Sequence, residues 1–198
     1  MRFAALLVLI AGPAGAACVT ASHMERGVAV AFAEGGTATL VRQVGGTVRL
    51  DESPPDDGPV MRSLLAQGFW EVRSFELDAD GWPVEQSRLE TRYPEEAEAL
   101  PPPAPDLVWV GTATPVFEGA ALAPEPMVVE ALATEPLVLG TCRYKAIEVR
   151  SRVGGTPDTA VLQRYLYLPE LGAAIRVERR ASGEPAEVRT PAALTAVP

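Results

Sequence analysis

The chain is poor in the side chains that carry most enzyme chemistry. It has one histidine (His23), one lysine (Lys145), two cysteines (Cys18 and Cys142) and no asparagine among 198 residues. A zinc site wants three or four Cys, His or carboxylate ligands, and this inventory offers no recognisable set. Nucleophilic hydrolysis needs a Ser or Cys beside a base. His23 stands near the N-terminus in Ser22-His23-Met24, and no G-x-S-x-G elbow occurs. A Ser-Lys pair would have to recruit Lys145, which alternates with Tyr144 along a strand-like segment and so faces away from it. Gly35-Gly36 and Gly45-Gly46 lack the lysine and following helix of a phosphate loop. The acidic turns Asp56-Asp57 and Asp78-Ala79-Asp80-Gly81 lack the full spacing of a calcium loop. No catalytic, cofactor-binding or metal-binding residue is assigned, and no cofactor is expected.

Long hydrophobic runs are also missing, with one exception. Arg2 is followed by the apolar stretch Phe3 to Ile10 and then by the small residues Ala11 to Ala17, with Ala14-Gly15-Ala16 as an A-x-A-like cleavage site. That order predicts a secretory signal peptide over residues 1–17, with the mature chain starting at Ala17 or Cys18. A membrane anchor would need about 20 apolar residues, and this run ends early at Gly12-Pro13. A lipoprotein signal would carry a bulky aliphatic residue three places before Cys18, where Gly15 stands. The expected location is therefore periplasmic or secreted, in a Gram-negative bacterium, with no transmembrane span after processing.

The remainder suits a single domain, residues 18–198. Its composition is 47% apolar and 22% charged, that of a folded globular chain. The formal charge is −9, and losing Arg2 with the leader makes it one unit more negative. An acidic surface repels phosphate backbones, so nucleic acid is not an expected partner.

Alternating short segments separated by turns predict a mainly β fold: an antiparallel meander, able to curl into a half-barrel, with one or two short helices. Candidate strands are Gly27 to Ala33, Thr37 to Val44, Thr47 to Asp51, Phe69 to Leu77, Val84 to Tyr93, Leu107 to Thr112, Met127 to Leu132, Ala160 to Leu168, Ala173 to Arg180 and Ala186 to Arg189. Val60 to Gln67 is expected to be helical. In the long segment Leu137 to Val153 the apolar parity flips between Ala146 and Ile147, which predicts a β-bulge.

Gly140-Thr141-Cys142-Arg143-Tyr144 and Tyr167-Leu168-Pro169-Glu170-Leu171-Gly172 resemble segments of uncharacterised secreted, β-rich proteins of alphaproteobacteria, over about a fifth of the chain from Gly140 to Arg180. The same turn occurs in periplasmic curved-sheet proteins resembling lipoprotein carriers. The resemblance implies an antiparallel sheet and carries over no catalytic residue. The turn itself has Pro169 to preset φ and Gly172 for a φ > 0 exit, so Gly172→Val is expected to cost more than Gly154→Val.

Two cysteines in an oxidising compartment are expected to pair, as Cys18–Cys142. Aromatics are only 6% of the chain, yet Phe69, Trp70, Phe75, Trp82, Trp109, Tyr144, Tyr165 and Tyr167 fall on or beside candidate strands. Either they fill the core or one sheet face forms an apolar groove, with Trp109 and Tyr144 as the first choices for a ligand face. The functional expectation is a non-enzymatic module binding an apolar ligand or an envelope protein partner. A carboxylate-dependent hydrolase and a structural accessory subunit of a cell-envelope complex remain as alternatives.

Overall fold

The computed structural model describes residues 17–56, 58–156 and 159–198. The expected leader lies outside them apart from Ala17, as does Asp57 of one acidic turn. Strands β1 (Val28–Phe32), β2 (Thr37–Arg42), β3 (Val48–Ser53), β4 (Val60–Ala66), β5 (Trp70–Leu77) and β6 (Leu89–Arg92) zigzag in antiparallel order. Next to β6 lies β7 (Val108–Phe117), on which the short β8 (Ala120–Ala121) folds back. The meander continues through β9 (Glu125–Leu139), β10 (Cys142–Val153), β11 (Val161–Leu168), β12 (Ala173–Arg180) and β13 (Glu187–Val188). Finally β14 (Pro191–Ala196) returns to pair with β1, completing one open antiparallel sheet of 14 strands. Among the described residues no helix is long and apolar enough to cross a membrane.

Val60–Ala66 is a strand, not the expected helix. It pairs with β3 on one side and β5 on the other, so ladder bonds replace helical ones. Cross-strand contacts reinforce it: Arg62 Nε donates to Asp51 Oδ1 at 2.6 Å, and Ser63 Oγ to Glu71 Oε2 at 2.8 Å. An eight-residue helix would have been marginal alone, and tertiary pairing overrides its propensity. The helical elements described are short 3-10 turns at Ala21–Glu25, Glu85–Ser87 and Ala97–Ala99.

The segment Leu137 to Val153 is also not one strand, since Gly140-Thr141 turns β9 into β10. A register shift does occur, between Ile147 and Val149, but the extra residue is on β9: Thr134 and Ala131 face Ile147 and Val149. Pairing of β10 with β11 stays regular from Ile147 to Val153. The parity flip has a different cause, because Ala146 and Ile147 point to opposite faces and both are buried, at 4% and 2% exposure. Ala146 joins a core built with β1–β3 and β12, whereas Ile147 joins a second core with Trp70, Trp109 and Tyr167. Strands β10–β12 are thus coated on both sides, β10 near its middle and β11 and β12 at the ends that meet in their shared turn. This is why Tyr167-Leu168 and Ala173-Ala174-Ile175 read as unbroken apolar runs.

The two edge strands are consecutive in sequence. Arg189 N donates to Val177 O of β12, and Ala33 N beside β1 donates to Thr190 O, each at 2.9 Å. The chain therefore steps from one sheet edge to the other within two residues. Glu52, buried at 8% exposure, binds Arg176 and Arg189, and the Arg189 guanidinium stacks 3.7 Å from the Phe32 ring centroid. The Glu34 carboxylate accepts the Thr190 N–H at 2.8 Å and its hydroxyl at 2.6 Å.

At the opposite end the expected disulfide joins Cys18 to Cys142, with Cα atoms 5.6 Å apart. The surroundings of the two turn glycines point to the opposite order of cost from the one expected. Gly172 has φ +59°, inside the small left-handed region, and a Cβ there would meet the Arg42 guanidinium at 3.1 Å. Gly154 has φ +108°, outside that region, and a Cβ would meet the backbone at Ala160 Cα (3.0 Å) and Thr159 O (3.2 Å).

Candidate functional site

Several aromatic side chains line a cleft of about 260 Å³ between the β5–β6 arm and the faces of β7 and β9–β11. Phe69 and Trp70 enter from the β4–β5 turn, Tyr93 from the end of β6 and Tyr165 from β11. The rings meet edge to face. Centroid distances are 5.1 Å for Phe69–Trp70, 5.2 Å for Phe69–Tyr165 and 5.5 Å for Trp70–Tyr93. Such pairs are worth about 0.5–1.5 kcal/mol each beyond area burial, so they hold the wall in shape.

The polar ends of Trp70 and Tyr93 are tied to backbone. Trp70 Nε1 donates to Pro101 O at 2.8 Å, and the Tyr93 hydroxyl donates to Glu71 O at 3.0 Å. Burial pushes the Tyr93 and Tyr165 phenols well above their usual range, and the negative charge of Glu71 adds to the shift at both. Both therefore stay protonated through neutral pH. Ala113, Met127, Val153 and Val161 supply apolar wall, while Glu71, Glu125, Ser151, Gln163 and Arg179 provide scattered polar and charged groups. At the mouth, Leu89 is registered opposite Phe117, and Leu122 N bonds Pro115 O at 2.8 Å. Phe117 and Leu122, which do not line the cleft, are 39% and 52% exposed.

Trp109 and Tyr144 do not share a ligand face. Trp109 is 8% exposed and packs behind the cleft wall, its ring centroid 4.9 Å from that of Trp70. Tyr144 is 4% exposed in the other core, where its hydroxyl accepts the Val19 N–H at 3.1 Å. It anchors the segment that carries Cys18. Of the strand aromatics legible in the sequence, Phe69, Trp70 and Tyr165 reach the cleft, and Tyr93 joins them. Tyr93 ends a candidate strand and gave no separate signal.

Among the described residues no group of three or more His, Cys, Asp or Glu is placed to hold a metal ion. No family model, no curated protein and no solved structure matches the chain.

Proposed function

We propose that the protein is a secreted binding module that holds a small apolar ligand in the aromatic cleft. The observation that carries this reading is the cleft itself. Phe69, together with Trp70, Tyr93 and Tyr165 whose polar ends are bonded or buried, presents hydrocarbon to a common space of about 260 Å³. Such a space is slightly smaller than the usual range of about 300–1,000 Å³ for ligand pockets, and fits a ring or a short chain. Secretion rests on the leader-like N-terminus, and the Cys18–Cys142 bond is compatible with it.

The test uses N-phenyl-1-naphthylamine, a neutral apolar reporter that brightens on leaving water. The expected result is saturable binding with energy transfer from Trp70 and Trp109. Val161 is half-buried in the cleft wall. Val161→Trp fills the space and should weaken the reporter about tenfold or more, a loss of ~1.4 kcal/mol, while the melting midpoint is retained. Unchanged affinity in a folded Val161→Trp variant would remove the cleft as the site.

A further inference from the structure

Alternate residues of β9–β12 face away from the cleft and line a second, larger groove of about 710 Å³. Register sets them in two rows. In one, Val110, Val128, Arg152, Leu162 and Arg180 stand side by side across β7 and β9–β12. In the next, Val108, Glu130, Arg150, Arg164 and Glu178 do the same. The second row is largely self-neutralised. Arg150 pairs with Glu148 at 2.7 Å, and Arg164 with Glu178 at 3.1 Å and Glu148 at 3.6 Å. In the first row Arg152 and Arg180 are exposed and form no ion pair among the described residues; Glu130 is the carboxylate left beside them. They flank Leu162, about 10 Å apart as two strand spacings require. At the far end of the two rows, on β7 beyond Val128 and Glu130, Val110 and Val108 are 72% and 64% exposed.

We infer that this row is a second binding site, for an anionic amphiphile. The carboxylate or phosphate head lies between Arg152 and Arg180, and the acyl part lies over Leu162, Val128 and Val110. Guanidinium groups bind such heads through charge-assisted, bidentate hydrogen bonds. A bare inorganic anion would use the arginines and leave the valines exposed. An acidic peptide, being longer, would run onto a surface whose overall charge is −9 and be repelled. A small amphiphile meets only the local field and covers the apolar neighbours as well. The paired rows lie on the face of the strands opposite the cleft, and Ser151 and Gln163 line both spaces.

The experiment is calorimetric titration at pH 8 with oleate below its micellar concentration, with inorganic phosphate, with monoolein and with an oligoglutamate peptide. Oleate is expected to bind one to one and to weaken as salt rises. Its affinity should fall about tenfold or more in Arg152→Gln/Arg180→Gln, and also fall in Val110→Asp. Both arginines are exposed, so the variant should keep its melting midpoint and its N-phenyl-1-naphthylamine affinity. The inference is overturned if the double variant binds oleate as well as the parent does. It is equally overturned if monoolein binds as tightly as oleate, if phosphate alone accounts for the affinity, or if oligoglutamate binds where oleate does not.

Discussion

The turn between β4 and β5 lies directly against the turn between β11 and β12, and one methyl group tests that contact. Gly68 O accepts the Ala174 N–H at 2.9 Å. A Cβ built at Gly68 (φ +68°) would lie 2.0 Å from Gly172 O and 2.9 Å from Ala173 Cα, both backbone atoms. Gly140 has nearly the same backbone (φ +60°), yet a Cβ there meets nothing within 4 Å. Placing Ala in the left-handed region costs about 1–2 kcal/mol. The smaller entropy of the unfolded Ala chain returns about 0.4–1 kcal/mol of that. Gly140→Ala should therefore lose on the order of 1 kcal/mol. Gly68→Ala carries the same conformational cost, an overpacking cost of about 1–3 kcal/mol and a weakened hydrogen bond worth about 1 kcal/mol. The difference between the two variants should be about 2–4 kcal/mol. Urea denaturation followed by far-ultraviolet circular dichroism measures both, and equal slopes show that the unfolded states are comparable. If the two variants agree within about 0.5 kcal/mol, the turns do not meet as described and the packing of the two sheet arms needs revision.

Replacing both cysteines by serine should cost about 4–5 kcal/mol in the chain-entropy model, because Cys18 and Cys142 are 124 positions apart; a loss below ~1 kcal/mol in chemical denaturation would contradict it. Gly154→Val should lower the melting midpoint more than Gly172→Val, and the reverse order would show that Arg42 cannot move aside. The folded-state pKa values of Tyr93 and Tyr165 are raised, so as pH climbs the unfolded chain ionises first. Their contribution is complete below the unfolded pKa near 10 and is lost as pH rises toward the folded values. Stability measured from pH 8 to 11.5 should fall, and Tyr165→Phe should flatten the decline; an identical slope would refute the buried phenol. Acrylamide should quench Trp82, 70% exposed, and largely spare Trp70 and Trp109 at 1% and 8%, so Trp82→Phe should remove most of the quenchable emission.

The fold class was legible because most strands keep one apolar face, and period 2 then survives in the sequence. Misreadings arose where that condition fails. Val60 to Gln67 has polar Arg62 and Ser63 in a segment buried by neighbours on both edges, so its pattern was ambiguous between two periods. In β10 the apolar parity changes although the β10–β11 ladder does not, because one core covers the first half of the strand and another covers the opposite face of the second half. A linear pattern cannot separate a change of face from an inserted residue. The last strand, Pro191–Ala196, combines two poor strand formers, and its pairing with β1 lies more than 150 positions away. The same distance problem hides the cleft. Tyr93 and Tyr165 line one space only because the sheet folds over between β6 and β9, and nothing local to either residue encodes that bend. Trp109 and Tyr144 stood out as large side chains in long apolar strands, and that context is what buries them. A ligand face is better sought where aromatics sit at strand ends and turns, as Trp70 and Tyr93 do, since backbone partners there can satisfy their polar ends while the rings stay open to a neighbouring space.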